Sequence, residues 1–415
     1  MKILNVVGAR PNFMKIAPII EAMRSHQQLK PLLVHTGQHY DVQMSKAFFD
    51  DLRLPRPDIN LEVGSGTHAT QTAAIMARFE PILQQHQPDL VLVVGDVNST
   101  LACSVTAAKL HIPVAHVEAG LRSFDWSMPE EINRMVTDVL STLLFTTCEE
   151  ANRNLVREGI APDKIFFVGN VMIDTLVKHL DAARRLQVRQ RFVLDQQGYA
   201  LVTLHRPSNV DGVEAIQQIL KAFALIEQDL PIVFPVHPRT RKRFEEFAVG
   251  RQLEDLKRLQ LVEPLGYLEF LSLMAEARVV LTDSGGIQEE TTFLGIPCLT
   301  LRENTERWIT VTHGTNRLVR VDAEAIAAEM RKALAETNGS PKVPPLWDGK
   351  AAQRIVDILA ERASAMTRPH RSLDSHHGLR PWTRSGFRPT GEEKGTTGSP
   401  AHRVRKPGRA ARGAP

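Results

Sequence analysis

The chain has 415 residues, 43% of them hydrophobic, and a formal net charge of +4. That length predicts two domains, no run approaches the roughly 18 apolar residues of a membrane span, and the opening Met1-Lys-Ile-Leu-Asn-Val-Val7 reads directly as a strand, so membrane insertion and secretion are not expected. The positive charge belongs to residues 366–415, with eleven Lys/Arg and three Asp/Glu; the rest is mildly acidic, and no specific nucleic-acid role follows.

Residues 1–365 read as strand, loop and helix, repeated in two series. The first places strands near Lys2–Val7, Leu32–His35, Leu90–Val94, Val114–Val117, Leu143–Thr147 and Ile165–Val168, with helices such as Met14–Ser25 and Thr70–Gln85 between them. The second places strands near Ala200–Leu204, Ile232–Val236, Leu259–Val262, Arg278–Leu281 and Cys298–Leu301. Short apolar strands alternating with amphipathic helices predict parallel sheets covered on both faces. The fold class expected is α/β, two doubly wound Rossmann-like domains facing a cleft. Domain boundaries are expected at 1–169, 170–348 and 349–365, the last a helix packing back on the first domain. The basic segment 366–415, rich in Pro and Gly, is expected to be disordered. Cys103, Cys148 and Cys298 form no CxxC pair and no metal-ligand spacing, which fits a reducing cytoplasm.

In doubly wound folds, ligands bind at the carboxyl ends of the strands, and polar residues gather there. Arg10 follows the first strand and could face a phosphate. Asp96 follows Leu90–Val94, with an Asx-turn as its structural alternative. Glu118 ends Val114–Val117 and could instead pair with Arg122. Glu130 and Glu131 follow Pro129, where acids commonly start a helix. His205 ends Ala200–Leu204, and His237 ends Ile232–Val236, where it could be a satisfied loop histidine. Gly64-Ser-Gly-Thr-His-Ala69 matches a dinucleotide fingerprint, but Asp58–Val63 before it is a poor buried strand, so no nicotinamide site is expected.

Asp283-Ser-Gly-Gly-Ile-Gln-Glu-Glu290 is the most informative stretch. It follows an apolar strand and opens a helix. Gly285 and Gly286 let a phosphate approach the free N–H groups of a helix N-terminus, and Ser284 can add a hydroxyl. Glu290, a turn further on, leans back toward that terminus and can accept from ribose hydroxyls.

Together these segments resemble the non-hydrolysing UDP-N-acetylglucosamine 2-epimerases. The resemblance is carried by Gly8-Ala-Arg-Pro with Lys15, Gly95-Asp96, His116-Val-Glu-Ala-Gly-Leu-Arg122, Pro129-Glu-Glu-Ile-Asn-Arg134, Gly169–Asp174, Thr203-Leu-His-Arg206, Pro235-Val-His237, Asp283–Glu290, Thr305-Glu-Arg307, Gly314-Thr-Asn-Arg317 and Trp347-Asp-Gly349. It implies a glycosyltransferase-B type fold, no metal or nicotinamide cofactor, and a homodimer. It further implies elimination of UDP to 2-acetamidoglucal and re-addition, for surface polysaccharide. Asp96, Glu118 and Glu130 match the catalytic carboxylates and His205 the active-site histidine. Arg10, Lys15, His237, Ser284, Gly285, Gly286, Glu290 and Arg317 match substrate-binding positions. The chain departs from the best-known members at Pro207–Asp211 and at Trp308. At Asp41, a second activator-contacting glutamine would otherwise follow Gln38. A relative acting on a UDP-2,3-diacetamido uronic acid, or a transferase of the same fold, shares much of this pattern.

Overall fold

The computed structural model describes residues 1–38, 56–192, 194, 198–336 and 343–367, without the side chains of Arg10 and of residues 365–367. Expectations for Arg10 as a phosphate ligand, for Asp41 and for the 366–415 segment therefore lie outside what is described, apart from the end of the last helix.

Seven strands form the first sheet: β1 (Lys2–Val7), β2 (Lys30–His35), β3 (Ile59–Asn60), β4 (Leu90–Val94), β5 (Val114–Ala119), β6 (Leu143–Thr146) and β7 (Ile165–Phe167). Their order is β3-β2-β1-β4-β5-β6-β7, all parallel. The helices of this half are α1 (Arg10–Arg24), α2 (His68–His86), α3 (Asn98–Lys109), α4 (Pro129–Leu140) and α5 (Glu149–Arg157). The second sheet is also parallel, in the order β10-β9-β8-β11-β12-β13. Its strands are β8 (Ala200–Thr203), β9 (Ile232–Pro235), β10 (Leu259–Val262), β11 (Val279–Thr282), β12 (Cys298–Thr300) and β13 (Asn316–Leu318). The helices that follow β7 are α6 (Val171–Arg185), α7 (Pro207–Val210), α8 (Val213–Ile226), α9 (Pro238–Glu246), α10 (Gly250–Asp255), α11 (Tyr267–Glu276), α12 (Gly285–Leu294), α13 (Trp308–Thr312), α14 (Ala323–Ala335) and α15 (Ala351–Thr367).

Central strands such as β4, Leu-Val-Leu-Val-Val, are buried along their whole length, as a sheet covered on both faces requires. Strand order reverses between β1 and β4 and again between β8 and β11, so each sheet opens a crevice at that point. The edge strands β3 and β13 escape a pattern reading because Ile59-Asn60 and Asn316-Arg317-Leu318 lack the apolar run that marks the comparably short β7 and β12.

The chain passes between the sheets near Gly169 and returns near Leu346, and the two passages touch. Gly169 has φ +90°, and a Cβ there would lie 2.1 Å from the Leu346 carbonyl oxygen, so only glycine fits. Arg354 donates to the carbonyls of Val168 (3.0 Å) and Leu346 (3.3 Å), and the buried Trp347 indole donates to the Thr147 carbonyl (2.9 Å). Asp174 of α6 accepts from the N–H groups of Ala351 (3.1 Å) and Ala352 (2.7 Å), capping α15 from outside its own segment. Ile355, Val356 and Leu359 of α15 share one core with Ile3, Ile16 and Ile19.

Candidate active site

The carboxyl end of the first sheet is held by ion pairs. A register shift between Val117 and Ala119 leaves Glu118 at φ +75°, a left-handed conformation that a non-glycine residue keeps only when its surroundings compel it. The compulsion is visible. The buried Glu118 carboxylate pairs with Lys15 of α1 and accepts from Arg307 Nη2 of the second half at 2.6 Å. Asp96, just past β4, accepts from Arg134 Nε at 3.0 Å. Burial pushes the Asp96 carboxyl up, but Arg134, Lys15 and Arg307 outweigh it and hold it at about 2. Glu130 stands half-buried in the first turn of α4 and lines a cavity of about 240 Å³ with Gln38, His68, Gln71, Asn98 and Asn133. These are uncharged hydrogen-bonding side chains, suited to the hydroxyl and amide groups of a neutral sugar.

The second sheet contributes a glycine-opened helix. Ser284 is the N-cap of α12 but makes no capping bond with its side chain, and the first-turn N–H groups have no intrahelical acceptor. A Cβ on Gly285 would lie 2.6 Å from Arg307 Nη1, so that glycine makes room for the arginine. A Cβ on Gly286 would meet only Met172 Cε, at an ordinary 3.5 Å. Among the described residues no neighbour requires glycine there, and the missing Cβ leaves room for a ligand to approach. Glu290 is buried and accepts from the Tyr267 hydroxyl at 3.0 Å. Burial, with the neighbouring Glu289, pushes its carboxyl up to about 8 against the lowering effect of that bond. His205 Nδ1 lies 2.9 Å from Asp283 Oδ1, while Asp283 Oδ2 accepts from the N–H groups of His205 (2.9 Å) and Arg206 (2.8 Å). Asp283 thus fixes both the imidazole and the turn that carries it.

The structure brings Asp96, Glu118, Lys15 and Arg307 into one charged cluster, and Asn133 ties Glu130's helix to it by donating to the Asp96 carbonyl at 2.8 Å. Glu118 does not pair with Arg122, which binds Asp138 and Glu158 instead. Asp96 is engaged by an arginine and is more than a turn-former. His237 caps α9, its Nδ1 accepting from Arg239 N–H at 3.2 Å, and its ring centroid lies 5.5 Å from that of His205. Arg317 is placed elsewhere. Successive strand residues point to opposite faces, so Asn316 reaches Gln288 of α12 while Arg317 turns to Glu329 of α14 (3.1 Å) and to Glu336, the residue that ends it.

Several site residues were not singled out from sequence. Arg302, Arg307, Arg206 and Arg134 crowd together, and Arg302 is held down to about 9 by burial and by repulsion from the other three. Arg302 Nη1 and Arg134 Nη2 are buried without a hydrogen-bond partner among the described residues. Glu289 is buried between Arg307 and Glu118, its carboxyl pushed up by burial and by Glu118. Arg307 and Arg134 stood inside quoted motifs, but only the fold shows arginines from both halves converging. Among the described residues no cluster of His, Cys, Asp and Glu has a metal-binding arrangement.

A cluster of buried cations beside ion-paired carboxylates, next to a glycine-opened helix N-terminus, can bind a diphosphate and move protons near it. The sequence profile described as UDP-N-acetylglucosamine 2-epimerase matches residues 21–360. A UDP-N-acetylglucosamine 2-epimerase of Methanocaldococcus jannaschii is 45% identical over 364 residues, which cover 86% of this chain and 99% of that one. The crystal structure of UDP-GlcNAc 2-epimerase from the same organism, in complex with UDP-GlcNAc and UDP, superposes with a TM-score of 0.80 over 87% of this chain and 100% of that one, at 45% identity. A UDP-2,3-diacetamido-2,3-dideoxy-D-glucuronate 2-epimerase of Pseudomonas aeruginosa is 41% identical, covering 87% of this chain and 100% of that one.

Proposed function

Since the chain belongs to the UDP-N-acetylglucosamine 2-epimerase family, and is therefore an isomerase of nucleotide sugars with the two-domain glycosyltransferase-B type fold, we propose how its own residues carry out the inversion. The substrate is UDP-N-acetylglucosamine and the product its C2 epimer. The C2 hydrogen is not α to a carbonyl, so a carboxylate must remove it while the C1–O bond to UDP breaks and a C1=C2 double bond forms. UDP then re-adds at C1 as a second group delivers a proton to the opposite face of C2. Two opposed proton carriers and a stabilised leaving group are required.

In this reading the two carriers come from Asp96, Glu118 and Glu130, with His205, next to Asp283, as the active-site histidine. Lys15 and Arg307 position the Glu118 carboxylate. The Gly286 end of α12, with Ser284 and Gly285, takes the diphosphate, with Arg10 as a further phosphate ligand. Glu290 takes the ribose, and His237 borders the nucleotide. The observation that carries this reading is the pair of buried, unpartnered arginine N–H groups, Arg302 Nη1 and Arg134 Nη2, beside the carboxylates. Buried donors without acceptors are costly, and a diphosphate would satisfy them. Domain boundaries at 169/170 and 348/349 follow the two passages between the sheets.

A homodimer and a cytoplasmic setting belong to the same proposal, as does supply of a surface polysaccharide. α4 turns Ile132, Val136 and Val139 outward beside the exposed Phe124 and Trp126, a face suited to a second copy. A monomer in light scattering would remove that element. Among the described residues no helix is long and apolar enough to cross a membrane, and all three cysteines are free and buried.

The test is NMR of UDP-N-acetylglucosamine with the purified protein in heavy water. The expected result is a second UDP-sugar carrying deuterium at C2; a product without deuterium would overturn the mechanism. Turnover only of the 2,3-diacetamido uronate would move the substrate to that of the relative that is 41% identical.

A further inference from the structure

Next to the cluster lies a fully buried pair, His116 of β5 and Asp138 of α4. His116 Nδ1 lies 2.6 Å from Asp138 Oδ1, and its Nε2 lies 2.8 Å from the Gly95 carbonyl oxygen. Gly95 immediately precedes Asp96, has φ +68°, and sits where a Cβ would be 3.1 Å from Lys15 Nζ. The other Asp138 oxygen accepts from Gly120 N–H at 3.1 Å and lies 2.7 Å from Arg122 Nη1. Gly120, at φ +78°, closes the bulge that sets Glu118 at φ +75°. Asp138 itself rides on α4, two turns after Glu130 and Glu131 and one turn after Arg134.

We propose that His116 and Asp138 are positioning residues, a buried joint that locks the turn bearing Asp96, the bulge bearing Glu118 and the helix bearing Glu130 into one frame. The proposal rests on the reading that these carboxylates transfer protons. Its physical basis is that Glu118, a non-glycine residue, holds left-handed backbone, which it keeps only when its neighbours over-determine it, while the same buried pair also ties the turn at Gly95. Each turn gets one hydrogen bond from the same buried dyad, so a shift of either carboxylate must disturb the other. Burial pushes the Asp138 carboxyl up, but His116 and Arg122 outweigh it and leave it below the usual carboxylate range. Opposed proton carriers on two faces of one carbon need such a fixed relation, because re-addition fails if the second group is out of line.

The experiment exploits the two ends of the imidazole. In His116→Gln the amide nitrogen falls near the Nε2 position and can still donate to the Gly95 carbonyl. In His116→Asn it falls near Nδ1 and can still donate to Asp138, but not to Gly95. The full-length protein is assayed with UDP-N-acetylglucosamine, and turnover is scaled to folded protein. The kcat of His116→Asn should fall about 10–100-fold, the range for supporting-shell losses, with KM little changed and with more UDP and 2-acetamidoglucal released per epimer formed. His116→Gln should recover most of the loss, and Asp138→Asn should resemble His116→Asn. If the pair only supports stability, all three variants will lower Tm while kcat per folded molecule and glucal release stay at wild-type values. That result would overturn the proposal, and so would Asn matching or exceeding Gln at position 116. Asp96→Asn, run alongside, separates the two readings. Slow Asp96→Asn with normal His116→Asn sinks the joint alone; wild-type rates for Asp96→Asn sink the proton-transfer reading and the joint with it.

Discussion

The strand ends of the two sheets meet the same cleft with opposite electrostatics. On the first sheet the acids are ion-paired: Asp96 faces Arg134, and Glu118 faces Lys15 and Arg307. On the second, Glu290 is buried against a tyrosine hydroxyl and raised to about 8. One half keeps carboxylates with cations already in place. The other keeps an acid whose charge burial disfavours until a partner arrives. That division matches the tasks assigned above, proton transfer in the first half and nucleotide binding in the second.

The largest expected effect lies in the first half. Glu118→Gln keeps size and loses basicity, so turnover should drop about 10²–10⁴-fold while UDP-sugar affinity changes less. Steady-state rates near wild type would return Glu118 to a purely structural ion pair. Arg307 joins the halves, touching Glu118, Glu289 and Glu306. Arg307→Met leaves buried acids without their cation and should cost about 3–5 kcal/mol in denaturant unfolding. A variant as stable as the parent would show that the acids neutralise one another without it.

In the second half, Glu290→Ala should weaken UDP-sugar binding by about 1.5–3 kcal/mol by calorimetry, with kcat at saturation less affected. The two halves should also respond oppositely to pH. Asp96, lowered to about 2, contributes stability that is present above the ordinary carboxylate value and lost as pH falls through 2. Glu290, raised to about 8, contributes stability that is present below the ordinary value and lost as pH rises through 8. Glu290→Gln should therefore flatten the decline of Tm between about pH 5 and pH 8; identical slopes for parent and variant would remove Glu290 from that account. The smallest effect belongs to Arg317. Its partners lie on α14 and at the residue that ends it, so Arg317→Ala should leave UDP-sugar affinity unchanged and cost no more than about 1 kcal/mol. A clear loss of affinity would bring Arg317 back to the nucleotide.

Much of this was legible in the chain because each signal was local. Valine-rich runs such as Leu90–Val94 mark buried parallel strands, and the order strand, Asp-Ser-Gly-Gly, acidic helix marks α12. The arginine cluster was not legible, since Arg134, Arg206, Arg302 and Arg307 lie far apart in sequence and meet only after both sheets form. α4 shows a deeper limit. An amphipathic helix normally buries its apolar face, but α4 buries Glu131, Arg134 and Asp138 and exposes Ile132, Val136 and Val139. Its pattern announces a helix and misreports which side faces in, because the buried charges are paired with Ser123, Asp96, His116 and Arg122 from other elements. Glu289 was passed over beside Glu290 for the same kind of reason: its partner Arg307 arrives from a later loop.

The placement of α15 bears on how the protein is made. Its Ile355, Val356 and Leu359 belong to the core that holds Ile3, Ile16 and Ile19, so the first sheet to leave the ribosome stays unsealed until the last helix emerges. At translation speeds of about 5–20 residues per second, that leaves the apolar flank of α1 open for roughly 20–70 s. Folding of this half thus waits on synthesis of α15, and a ribosome stalled before Ala351 would hold a nascent protein with a ready target for chaperones.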